Sequence, residues 1–110
     1  MRANALIAIA PLLLGSSEYR DLILPQSSTH HDIHVKGVRY LEVEVEGSGN
    51  TNIDCWVYDK KTRVVSADTR PEDRCILSWV ASDGEYSLRL KNTGNEENVY
   101  RVHIRETVLL

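Results

Sequence analysis

From His30 onward, hydrophobic and polar positions alternate with a period of two. The run Arg39 to Glu46 shows this most plainly. Leu41, Val43 and Val45 fall on one face of an extended strand and Glu42, Glu44 and Glu46 on the other, since successive strand side chains point to opposite sides. That pattern describes a half-buried strand with a solvated acidic face. An opening strand from His30 turns Ile33 and Val35 inward, and Ile53 to Asp59 groups Ile53, Cys55 and Val57. After the short run Arg63 to Ala67, Arg74 to Val80 groups Cys75, Leu77 and Trp79. Glu85 to Lys91 groups Tyr86, Leu88 and Leu90, and Asn98 to Glu106 groups Tyr100, Val102 and Ile104. The intervening Gly47 to Asn52, Asp59 to Thr62, Asp68 to Asp73, Ser82 to Gly84 and Asn92 to Glu97 carry the Gly, Asn, Asp and Pro residues of turns. No stretch after residue 25 holds the roughly 3.6-residue apolar period of a helix. Short strands separated by turns about every 8–12 residues predict an all-β antiparallel sandwich of about seven to eight strands.

The first seventeen residues stand apart from this pattern. Arg2 is their only charge, Ala5 to Leu14 is apolar around Pro11, and Gly15, Ser16 and Ser17 are small. This is the layout of a secretory signal peptide, expected over residues 1–17 with a cut ahead of Glu18, and it predicts a periplasmic or secreted protein. The apolar run is shorter than the about 20 residues of a membrane span. The alternative places the apolar N-terminus inside the folded domain as a strand or helix. Residues 18–29, with mixed charges and Pro25, predict a connector in which Leu22 to Leu24 docks or forms a short edge strand. Residues 30–106 form the expected domain, and 107–110 an apolar tail.

At 110 residues the chain suffices for one domain, and a domain of this size buries only about 60–70% of its unfolded surface. A covalent staple therefore matters. Cys55 and Cys75 make the even count of a disulfide in an exported chain, each on the apolar face of its own strand. Closing a loop of about 20 residues contributes roughly 3 kcal/mol on the chain-entropy model. The formal net charge is −3, from 13 basic and 16 acidic residues without a basic block, which argues against a nucleic-acid partner.

Several segments together resemble a known family. Asn52-Ile53-Asp54-Cys55-Trp56-Val57-Tyr58-Asp59, Val64-Val65-Ser66-Ala67-Asp68, Cys75-Ile76-Leu77-Ser78-Trp79 and Gly84 to Leu90 follow in the order seen in the bacterial pre-peptidase C-terminal domain family. The likeness is greatest to its exported two-cysteine variants and runs from about His30 to Arg105. The resemblance implies a jelly-roll-like β-sandwich without catalytic activity, appended to secreted peptidases, some members of which bind matrix polymers, carbohydrate or calcium. The acidic cluster before the core strand is thinned here to Asn50, Asn52 and Asp54.

Three groups of residues carry candidate chemistry. His30, Asp32 and His34 share one face of a strand, a donor set that suits zinc or copper, against the simpler expectation of a solvated polar face. Asn50, Asn52, Asp54, Asp59 and Asp68 offer the oxygens calcium prefers, although turn chemistry accounts for the same residues. Trp56 and Tyr58 lie opposite the Cys55 face, as a platform for a sugar or a partner protein or as packing. Gly-x-Ser-x-Gly, His-Glu-x-x-His and phosphate-loop patterns are absent from the sequence. The expected function is a non-catalytic exported interaction module for an envelope or extracellular protein or polysaccharide. The alternative is a metal- or carbohydrate-binding protein using the His30–His34 strand or the Trp56/Tyr58 face.

Overall fold

The computed structural model describes residues 12–49 and 51–108, which form eight strands and no helix. In chain order these are β1 (Leu12–Ile23), β2 (Ser28–Val35), β3 (Arg39–Glu46), β4 (Ile53–Tyr58), β5 (Val64–Asp68), β6 (Arg74–Ala81), β7 (Gly84–Asn92) and β8 (Asn98–Val108). They make two four-stranded antiparallel sheets, β1-β8-β3-β6 and β2-β7-β4-β5. Among the described residues only β4 and β5 pair with their immediate neighbour in sequence. Every other pairing is long-range, as in a jelly roll. Among these residues no helix is long and apolar enough to cross a membrane.

The period-two pattern is realised as burial. All eight residues of β6 alternate between exposed and buried, so Cys75, Leu77, Trp79 and Ala81 point into the core. Leu41, Val43 and Val45 join them from β3, and Ile53, Cys55, Val57, Leu88 and Leu90 face them from the other sheet. Burying such side chains stabilises the fold by roughly 1.5–3 kcal/mol each. The Cys55–Cys75 disulfide ties β4 to β6, and thus one sheet to the other, with Cα atoms 6.2 Å apart.

The N-terminal third departs from expectation. Residues 18–29 are not a connector: Glu18 to Ile23 complete β1, Ser28 and Thr29 open β2, and only residues 24–27 turn between them. β1 pairs along its length with β8, placing Tyr19 opposite Val102 and Ile23 opposite Asn98. The charges of Glu18, Arg20 and Asp21 mask this strand in the sequence, because an edge strand buries few residues. The cut expected ahead of Glu18 falls inside β1, whose first half, Leu12 to Ser17, pairs with Ile104 to Val108. Residues 1–11 of the expected leader lie outside the described residues. Thr107 and Val108, expected in a tail, belong to β8, and Leu109 and Leu110 lie outside the described residues.

Candidate functional site

With the core sealed, the outer faces of the two sheets are what the domain presents. On β2-β7-β4-β5 the register builds rows of side chains across the strands, with neighbours in a row about 4.8 Å apart. His30, Arg89 and Trp56 form one row, Asp32, Ser87 and Tyr58 the next, and Ser28, Lys91 and Asp54 a third. The Arg89 guanidinium carbon lies 5.3 Å from the Trp56 ring centroid, a cation–π contact, and its Nη2 donates to Ser28 Oγ at 3.3 Å. Beside them is an open groove of about 420 Å³ lined by Ser28, His30, Tyr58, Asp59, Thr62, Ser87 and Arg89. Trp56 and Tyr58 are half-buried on this face.

The structure gathers some of the expected site residues and separates others. Trp56, Tyr58, His30 and Asp59 lie on or beside the groove. Asp32 and His34 are exposed farther along β2, while Asn52 and Asp54 sit on the far side of β7. Among the described residues no three His, Cys, Asp or Glu side chains are grouped for a metal ion. Asp59 instead builds its own turn: its Oδ1 accepts the backbone N–H groups of Lys61 and Arg63 at 2.9 Å, and its Oδ2 accepts Arg63 Nε at 2.9 Å. The Arg63 backbone N–H leads in holding this carboxyl below its ordinary pKa. Asn52 Oδ1 and Asp54 Oδ1 are shielded from solvent without a hydrogen-bond donor, and burial raises the Asp54 pKa while the Lys91 ammonium opposes that rise. Asn50 lies outside the described residues.

Asp68, grouped in the sequence with the oxygen donors, is buried and structural. Its carboxylate accepts Arg70 Nε at 2.9 Å, Arg70 Nη2 at 2.7 Å and the Ile76 N–H at 2.8 Å, linking β5 to β6. The Arg70 guanidinium leads in holding its pKa down to about 2. His31, not singled out in the sequence, turns inward between the sheets: its Nε2 lies 2.7 Å from the Tyr100 hydroxyl, and its ring is 4.7 Å from that of Tyr19. Burial lowers the His31 pKa and raises that of Tyr100 to about 12.

His30 Nδ1 and Ser87 Oγ stand 3.4 Å apart, longer than the about 2.6–3.2 Å of a nucleophile–base pair. Among the described residues no carboxylate hydrogen-bonds His30 to orient it, so the contact lacks the third member of a triad. The outer face of β1-β8-β3-β6 differs in its electrostatics. Glu44 is bound by Arg74 at 2.6 Å, Glu42 by Arg105 at 3.9 Å and Glu46 by Arg101, so its charges neutralise one another.

Arg89, Ser87 and Ser28 are the groove residues that sequence reasoning missed. Alternation along Glu85 to Lys91 does put Ser87 and Arg89 on the solvent face. What period two does not reveal is that β7 lies between β2 and β4, which brings Arg89 beside Trp56 across more than thirty residues of chain.

No protein-family model matches this sequence, and no curated protein does. Solved structures do resemble its fold. The pre-peptidase C-terminal domain of collagenase from Bacillus anthracis superposes with a TM-score of 0.71 at 9% identity, covering 81% of this chain and 88% of that one. PliG of Aeromonas hydrophila, a periplasmic inhibitor of g-type lysozyme, gives 0.59 at 10% identity, covering 83% and 85%. The Yersinia pseudotuberculosis-derived mitogen gives 0.62 at 8% identity, covering 87% and 86%. At these identities the likeness concerns the fold, and at that level it agrees with the resemblance seen in the sequence.

Proposed function

We propose that this domain is a non-catalytic binding module that acts outside the cytoplasm and holds an envelope or extracellular protein or polymer against the outer face of β2-β7-β4-β5. The observation that carries this reading is the Trp56–Tyr58 surface with Arg89 beside it. Half-exposed aromatic rings on a sheet whose other face already fills the core are free to contribute to binding. The Cys55–Cys75 bridge supports export, since disulfides persist in oxidising compartments, and so does the apolar segment before Glu18. The PliG proteins similar in fold are periplasmic inhibitors of a lysozyme, which supports a protein as one class of partner. Carbohydrate capture on the same face is the second reading, favoured by the hydroxyls of Ser28, Tyr58, Thr62 and Ser87 around the groove.

Intact mass of protein from a periplasmic expression host, with and without reductant, tests export and the bridge together. The expected result is loss of an N-terminal leader and a gain of two hydrogens on reduction. Retention of Met1 with two free thiols would remove export from the reading. For the face, a Trp56→Ala/Tyr58→Ala variant is expected to keep its fold and lose capture of the envelope partner or polymer that wild type retains. Undiminished capture would move the binding surface elsewhere.

A further inference from the structure

We infer that the ligand of this face is an acidic polysaccharide, with a uronate unit laid against Trp56 and its carboxylate taken by Arg89. The inference rests on the reading of the β2-β7-β4-β5 face as the binding surface and names the ligand class of that surface. Arg89 is half-buried, and none of the ion pairs among the described residues includes it. A guanidinium has five N–H donors in a planar fork that matches a carboxylate. Its hydrogen bond to Ser28 and its contact with the Trp56 ring orient that fork without neutralising it.

The surrounding charges leave this cation available. Asp59, the carboxylate lining the groove, is held by Arg63, Asp54 lies across from Lys91, and the exposed Asp32, one row along on β2, lies across from Ser87 rather than from Arg89. His30, directly across from Arg89 on β2, adds a ring nitrogen on the same row. On the other sheet, by contrast, Arg74, Arg101 and Arg105 each face a glutamate.

The remaining chemistry selects a sugar over a peptide. Every side chain lining the groove carries a hydrogen-bonding group, four of them hydroxyls, set among the apolar ring and stem surfaces of Tyr58, His30 and Arg89, and the groove is open. A pyranose presents C–H groups to an aromatic face and hydroxyls at its rim, and a uronate adds one carboxylate per unit. Trp56, the hydroxyl side chains and Arg89 answer these three features in turn.

The test is affinity electrophoresis of the full chain through gels containing polygalacturonate, its methyl-esterified form, dextran sulfate or polyglutamate. The expected result is retardation by polygalacturonate at least about tenfold stronger than by the ester, and a loss of about tenfold in Arg89→Gln. Trp56→Ala should also lose affinity, while Arg101→Gln on the opposite sheet should not, with thermal melts confirming that each variant folds. Equal affinity for the ester would overturn the role of Arg89 while leaving an aromatic sugar platform. Equal or stronger retardation by dextran sulfate would reduce the effect to unspecific charge, and by polyglutamate would make the ligand an acidic peptide. If no polymer retards the chain, the inference falls. The binding-face reading is then judged separately by the Trp56→Ala/Tyr58→Ala capture experiment.

Discussion

The two open flanks of the sandwich are closed by different chemistry. Between β5 and β6 a buried carboxylate, Asp68, reaches across to the Ile76 N–H, Ser66 Oγ accepts the Ser78 N–H at 3.2 Å, and the Cys55–Cys75 bridge crosses the core nearby. Between β1 and β2 the closure is a cluster of inclined rings, Tyr19, His31 and Tyr100, with one hydrogen bond at its centre. The first flank depends on a covalent bond and an ionised carboxylate. The second depends on groups that must stay neutral. Redox state and strong acid should therefore act on one side of the domain, and mild acid or alkali on the other.

Breaking the covalent flank should have the largest effect. Reduction, or a Cys55→Ala/Cys75→Ala variant, is expected to cost about 3 kcal/mol and to lower Tm by roughly 10–20 °C. A melt unchanged by reductant would place the strength of that flank elsewhere. Asp68→Ala should follow at about 1–2 kcal/mol, because it leaves the part-buried Ile76 N–H without its acceptor, while the exposed Arg70 guanidinium returns to water. The folded-state pKa of Asp68 lies below its unfolded value, so its contribution is present above pH 3.8 and is lost as the pH falls toward about 2. Denaturant titrations from pH 5 to 2 should show that loss in wild type and not in Asp68→Ala.

The aromatic flank should yield smaller changes in other windows. Tyr100→Phe removes the hydroxyl beside His31 and is expected to cost about 1 kcal/mol in denaturant melts. Burial depresses the His31 pKa below 6.5, so the folded state favours the neutral ring. Its contribution is complete above pH 6.5 and declines as the pH falls below that value, and the protection factors of β1 amides, taken relative to the slower intrinsic exchange in acid, should fall between pH 7 and 5. His31→Gln should flatten that response. Tyr100 works in the opposite sense: its raised pKa means stability is intact below pH 10 and lost as the pH climbs toward about 12. Arg101→Gln should change least, within about 0.5 kcal/mol, because its pair with Glu46 is solvent-exposed.

The strands legible in advance were those that bury a full face. β3 lies where alternation places it, at Arg39–Glu46, and the inward sets of β4, β6, β7 and β8 are those their hydrophobic residues predict. β1 was hidden because an edge strand needs no continuous apolar face and Glu18, Arg20 and Asp21 interrupt the pattern. At the binding face, Trp56 and Tyr58 were visible as the polar-side members of an alternating strand. Arg89 was equally solvent-facing in its own strand but unremarkable until its neighbour was known.

Period two, turn residues and two cysteines on apolar faces are local properties, and they determined the all-β class, the inward side of most strands and the bridge between Cys55 and Cys75. The strand order is not local: β7 between β2 and β4, and β8 between β1 and β3, follow from how two sheets close over one core. Tertiary structure alone therefore decided that His31 turns inward to Tyr100, that Asp68 serves the fold, and that Arg89 lies over Trp56 without a carboxylate partner among the described residues. The physical reason is that alternation tells a side chain which face it occupies, while its neighbours on that face are set by pairings between segments far apart in the chain.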